Sequence, residues 1–118
     1  MPAAPLEPAV WQRDLVALQS PLPMSDQAAT VLDALGDPTR RSIVERLRRG
    51  PTPVGELAAA LPVGRPAVSK HLKVLSGAGL VEHRSVGTRN LYALAPSGFV
   101  ALQQWLVDTW DTRKDGQA

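Results

Sequence analysis

The chain has 118 residues, 44% of them hydrophobic and 20% charged, the composition of one soluble globular domain whose small core a second copy would usefully extend. It has no cysteine, which excludes disulfides, thiolate metal sites, cysteine nucleophiles and thiol redox sensing. The net charge of +2 conceals an asymmetry: residues 38–95 hold ten Lys/Arg against three acids, while residues 1–37 sum to −4 and residues 96–118 to −1.

Positive charge gathered in the middle of a small chain is the footprint of a polyanion binder. No apolar run approaches the ~18 residues that span a bilayer. The opening MPAAPLEPAV lacks the basic-then-apolar order of a signal peptide, so a cytoplasmic protein with no membrane association is expected.

Residues 1–24 are rich in proline and read as a tail or arm. Within them AVWQRDLVALQ has Trp11, Leu15 and Leu18 at helical spacing. A mobile tail and a short helix packed on the domain or a partner subunit both remain open. The folded unit is predicted over 25–113, with 114–118 as a C-terminal tail.

Ser25 or Asp26 can cap a first helix that runs to about Gly36, with Ala28, Val31, Leu32 and Leu35 as its apolar set. Asp37 and Pro38 then serve as cap and first residue of a second helix, with Ile43, Val44 and Leu47 inward. Arg46, Arg48 and Arg49 crowd its C-terminal end, where the macrodipole favours cations. Their solvated placement there is the preferred reading. Gly50-Pro51 stops that helix. Thr52 and Pro53 are expected to open a third as cap and first residue, with Val54, Leu57, Ala58 and Leu61 on its inner face.

The stretch Leu61 to Val81, LPVGRPAVSKHLKVLSGAGLV, organises the rest. Pro66 suits the first turn of a new helix, because its missing N–H has no partner there and its φ is already helical. Val68, Leu72 and Leu75 recur at i, i+4 and i+7, and Gly77 and Gly79 end the pattern. At about 100° per residue, Arg65, Pro66, Ser69, Lys70 and Lys73 fall on the opposite side. One face is apolar and the other basic with short side chains, which is how a helix that enters a DNA groove must be built. Joined by a four-residue turn to the short helix before it, this makes a helix-turn-helix.

Beyond Gly79, LVEHRSV and RNLYALA flank Gly87-Thr88 and read as a two-stranded hairpin carrying Arg84, Thr88 and Arg89 near its tip. A hairpin directly after a recognition helix is the wing of a winged helix, whose basic tip can reach the flanking backbone or the minor groove. Pro96-Ser97 starts a last helix, with Ser97 as its expected cap. Phe99, Leu102, Leu106 and Trp110 line one stripe, and Val100, Trp105 and Val107 add apolar surface. That is more than one terminal helix should leave to water, and it points to a subunit interface.

From Leu35 to Leu94, the LGDPTRR opening, the PAVSKHLKVL…AGLV segment and the G-x-R-x-x-Y wing together resemble the ArsR family of bacterial winged-helix repressors. The resemblance implies a mostly α fold with a small β-hairpin wing. It also implies a homodimer joined through its first and last helices, which sets Leu32 with Phe99, Leu102, Leu106 and Trp110 at the dimer interface. Such a dimer binds a partly palindromic double-stranded operator and represses transcription until a signal releases it. The family's groove-facing positions fall on Arg65, Pro66, Ser69 and Lys70.

Arg65 is the candidate for a base contact, since a guanidinium can bond guanine O6 and N7 together. Lys70, Lys73, Arg84 and Arg89 are candidates for phosphates, which position without reading sequence. His71 projects to the other flank as a packed or backbone-bonded histidine, and His83 has no assigned role.

Metal-sensing family members carry cysteines by the helix that here reads VGELAAAL, or histidine–carboxylate sets on the last helix; this chain has neither pattern. No metal or cofactor is expected, and no effector site is legible. Neither histidine carries a nucleophile or metal signature, so no enzyme is expected. The alternatives are a winged helix used as a protein-interaction module and a regulator with a non-cysteine effector site.

Overall fold

The structure, a computed structural model, describes residues 24–117, with side chains described through Trp110. The expected segment around Trp11, Leu15 and Leu18 lies outside the described residues. Helix α1 (Asp26–Leu35) is capped by Ser25, whose hydroxyl oxygen accepts the Ala28 N–H at 3.0 Å. It buries Ala28, Val31 and Ala34, while Leu32 stays exposed and Leu35 half-buried. Helix α2 (Pro38–Leu47) begins as the DP pair predicts. The Asp37 carboxylate accepts the Arg40 N–H at 3.0 Å, and Ile43 and Leu47 are buried.

The two arginines that follow Pro38 turn back onto α1. Arg40 donates from Nε to the Ala34 carbonyl at 2.7 Å and from Nη2 to the Asp33 carbonyl at 3.4 Å. Arg41 donates from Nη1 to the Leu35 carbonyl at 2.7 Å. The last carbonyls of a helix have no partner within it, and a cation there also meets the negative end of the dipole. Two of the ten central cations therefore serve the fold.

Thr52 and Pro53 correct the sequence reading. Thr52 is not the cap of the third helix nor Pro53 its first residue. The two form a short strand, β1 (Thr52–Pro53), antiparallel to a later strand with Thr52 opposite Tyr92 and Pro53 opposite Leu91, and Pro53 itself is the N-cap. The residue before a proline is pushed toward extended backbone, and an edge strand tolerates the missing N–H. Helix α3 (Val54–Ala60) then starts after Pro53, without a side-chain cap, and buries Leu57.

Helix α4 (Arg65–Gly77) has Gly64 as its N-cap and Pro66 in its first turn, and it buries Val68, Leu72 and Leu75 against the other helices. It closes through Ala78 and Gly79, where φ is +77°, a left-handed value that glycine adopts without strain. Strands β2 (Val81–Val86) and β3 (Arg89–Leu94) form the hairpin, turning at Gly87-Thr88. The sheet order is β1-β3-β2, all antiparallel.

Helix α5 (Pro96–Gln117) continues across 114–117, the stretch read as a tail. Ser97 is not its cap but sits inside the first turn. There it accepts the Gln27 side-chain amide at 3.1 Å and donates to the Gly79 carbonyl at 3.4 Å, so its hydroxyl joins α1 and the end of α4 to the start of α5.

Candidate nucleic-acid interface

The candidate interface is built on α4. Its inner positions, Val68, Leu72 and Leu75, are at most 1% exposed, which fixes the helix's rotation about its own axis. Arg65, Pro66, Ser69, Lys70 and Lys73 are thereby all turned to solvent, and the structure brings the five together along one side. Among the described residues none of the three cations is held by a hydrogen bond or ion pair. The Arg65 guanidinium passes over the first turn of α3: a Cβ placed on Gly55 would lie 4.0 Å from its Nη1. A larger side chain at position 55 would occupy the path the guanidinium takes. His71 is half-buried on the other flank, its Nδ1 3.5 Å from Arg40 Nη1, a side-chain neighbour rather than a backbone one.

The wing stands beside this helix with Arg84, Thr88 and Arg89 exposed. Its two arginines have acidic neighbours that sequence reasoning did not pair with them. Arg84 grips Glu82 through Nη2 at 2.7 Å and Nε at 2.9 Å, and Arg89 Nη2 lies 3.9 Å from the Glu56 carboxylate of α3. Both pairs are open to water, where such bridges contribute little and a phosphate can compete for the cation.

The opposite face of the wing carries residues the sequence reading passed over. His83, Ser85 and Asn90 are joined by hydrogen bonds, and the His83 ring lies 5.3 Å from that of Tyr92 at 57°. Alternation along β2 and β3 would have put these side chains on one face once the Gly87-Thr88 turn fixed the register.

The five residues expected at a dimer interface divide. Leu32, Leu106 and Trp110 remain exposed, at 40%, 52% and 61%, with Val100 and Val107 beside them on α5. Phe99 and Leu102 are half-buried and pack against their own core, because the first turns of α5 lie on α1 and the end of α4. Arg46, Arg48 and Arg49 are exposed at the end of α2, as expected. Among the described residues no three His, Cys, Asp or Glu side chains gather into a group that could hold a metal ion. Nor is any helix among them long and apolar enough to cross a membrane.

A short helix, a tight turn, a second helix with a polar basic outer face and an antiparallel hairpin define a winged helix-turn-helix of the DNA-binding regulator class. Comparison with known proteins agrees. A model of the helix-turn-helix domain family matches residues 35–84. The chain is 56% identical over 85 residues to the HTH-type transcriptional regulator Rv2034 of Mycobacterium tuberculosis, covering 72% of this chain and 79% of that one.

Among solved structures it resembles an ArsR-like transcriptional regulator from Rhodococcus sp. RHA1, with a TM-score of 0.67 and 32% identity over 77% of this chain and 85% of that one. It also resembles the homodimeric winged helix-turn-helix DNA-binding domain of Mb0332 from Mycobacterium bovis, a possible ArsR-family regulator. There the TM-score is 0.58 and the identity 29%, over 76% of this chain and 82% of that one. The chain belongs to the ArsR family of winged helix-turn-helix transcriptional regulators.

Proposed function

We propose that this regulator is a cytoplasmic homodimer that represses transcription by binding a partly palindromic operator, with α4 of each subunit in a major groove. The observation that carries the reading is the outer face of α4: five exposed residues, three of them cations without a partner among the described residues, backed by a buried apolar seam. Arg65 is the base-reading residue, and Pro66 and Ser69 let the helix approach closely. Lys70 and Lys73 neutralise phosphates, and Thr88, Arg84 and Arg89 reach the flanking backbone from the wing.

Dimerisation is supported by the apolar surface left open on α1 and α5 at Leu32, Leu106 and Trp110. Phe99 and Leu102 contribute from beneath it. The working unit is 25–113, with 1–24 and 114–118 flanking it. Two-fold symmetry sets the half-sites ~10–10.5 bp, or a multiple, apart. The reading assigns the chain no catalysis, metal or cofactor.

The test is fluorescence anisotropy of the full chain on the duplex upstream of its own gene, against a scrambled duplex, over a range of salt. Selective binding as a dimer, weakening steeply with salt, supports the reading. Equal weak binding to both duplexes would reduce the basic centre to a non-specific footprint.

A further inference from the structure

The wing also carries an amide, that of Asn90, held by two hydrogen-bonding neighbours. In the β2–β3 register Ser85 stands opposite Asn90 and His83 opposite Tyr92, so these four side chains share one face of the hairpin. Arg84, Val86 and Arg89 lie on the other. On the Asn90 face, His83 Nε2 lies 3.0 Å and Ser85 Oγ 3.4 Å from Asn90 Oδ1. An amide oxygen only accepts, so both neighbours donate to it and His83 carries its ring proton on Nε2.

Oδ1 thereby accepts from two neighbours within the wing. The two N–H bonds of Nδ2 have no hydrogen-bond partner among the described residues. His83 is braced in turn against Tyr92, whose strand position is fixed on its other side by β1 through Thr52. Asn90 is exposed. The result is a donor-only group, pre-oriented near the tip of a protruding two-stranded ribbon.

We propose that Asn90 is a specificity-determining residue that reads A·T pairs in the minor groove flanking each half-site, with His83 and Ser85 as its positioning residues. The inference rests on the DNA-binding reading and adds to it a base contact from the wing. In the minor groove, A·T and T·A present only acceptors, adenine N3 and thymine O2, whereas G·C adds the guanine N2 amino donor. A free amide oxygen could accept from that amino group and make the residue indifferent to the pair. With Oδ1 already accepting from two neighbours within the wing, only donors face the groove, and a donor is matched by A·T and opposed by G·C. The arginines on the opposite face supply charge that any sequence satisfies.

The experiment uses the full chain and a site selected from a pool of random duplexes. The pairs flanking each half-site are then varied among A·T, G·C and inosine·C. Inosine·C keeps the major-groove pattern of G·C but lacks the N2 amino group. The expected result is similar affinity for A·T and inosine·C flanks and about tenfold weaker binding to G·C flanks. Asn90→Ala is expected to bring the three together, and His83→Ala to narrow the ratio while leaving the thermal unfolding midpoint unchanged. Binding to inosine·C that falls with G·C would overturn the proposal, as would a ratio preserved in Asn90→Ala. So would a uniform loss of affinity in Asn90→Ala at unchanged ratio, which marks a phosphate contact. Selection of a site with indifferent flanks defeats this inference alone, whereas failure to select any site defeats the DNA-binding reading with it.

Discussion

Gly98 and Gly79 meet backbone to backbone. The Gly98 N–H donates to the Gly79 carbonyl at 2.8 Å, and a Cβ on Gly98 would stand 2.7 Å from the Ala78 carbonyl oxygen and 2.8 Å from that of Gly79. The first turn of α5 is thus seated directly on the end of α4. Gln27 of α1 donates to the Ala78 carbonyl at 3.4 Å in the same place. The helices proposed to carry the dimer are fixed to the C-terminal end of the helix proposed to read DNA.

Gly98→Ala forces backbone apart at this joint, because the atoms in the way are carbonyl oxygens rather than flexible side-chain ends. The expected cost is about 1–3 kcal/mol, the usual range for overpacking, measured by urea unfolding. Gly77→Ala is the control. Nothing lies near a Cβ there and its backbone is helical, so it should be neutral or slightly stabilising.

The central cations separate into two kinds that salt dependence can tell apart. Arg40→Ala removes two hydrogen bonds to the end of α1 and should lower stability by about 1.5–3 kcal/mol. It should leave the slope of log affinity against log salt unchanged. Lys70→Ala should do the reverse, with normal unfolding and a slope reduced by about 1 per site.

The Asp37 carboxyl is held below its usual 3.8, first by the hydrogen bond from the Arg40 N–H. Partial desolvation opposes this, and the Thr39 N–H and the charges of Arg40 and His71 support it. A group whose pKa is lower folded than unfolded stabilises the fold above its unfolded value. That contribution is lost as pH falls through the range from 3.8 down to the folded value. Asp37→Asn retains a capping side chain and should flatten the acid limb of the stability profile. Asp37→Ala should lower stability at neutral pH as well, as read by thermal melts from pH 2 to 7.

Leu106 is half-exposed on α5 and tests the proposed subunit contact. Leu106→Asp sets a charge in that contact and should shift sedimentation from dimer to monomer. Operator affinity should fall with it, while far-UV circular dichroism stays unchanged.

What could be read from the sequence was what lies close along the chain. The i, i+4, i+7 spacing of Val68, Leu72 and Leu75 sets the rotation of α4 and therefore the five outward residues. The caps at Ser25 and Asp37 are three-residue relationships that the structure repeats. The misreadings come from partners far away in the chain. Thr52-Pro53 has the look of a cap and first residue, but its extended backbone is taken up by pairing with Tyr92 and Leu91, about forty residues on. Ser97 looks like a cap, yet its hydroxyl is drawn to Gly79 and Gln27. Arg40 reads as part of a basic footprint until the end of α1 is seen folded beneath it. The Asn90 cluster needed the hairpin register before its members could be recognised as neighbours.

The central claim, that the outer face of α4 reads DNA, is tested most directly by Arg65→Ala combined with Lys70→Ala. The double variant is titrated by anisotropy on the selected operator and on a scrambled duplex. Both side chains are exposed and have no partner among the described residues, so unfolding should match the wild type. Selective binding should be abolished, with only weak, salt-sensitive binding left on either duplex. A folded double variant that still prefers the operator as strongly as the wild type would contradict the account and move sequence recognition elsewhere on the molecule.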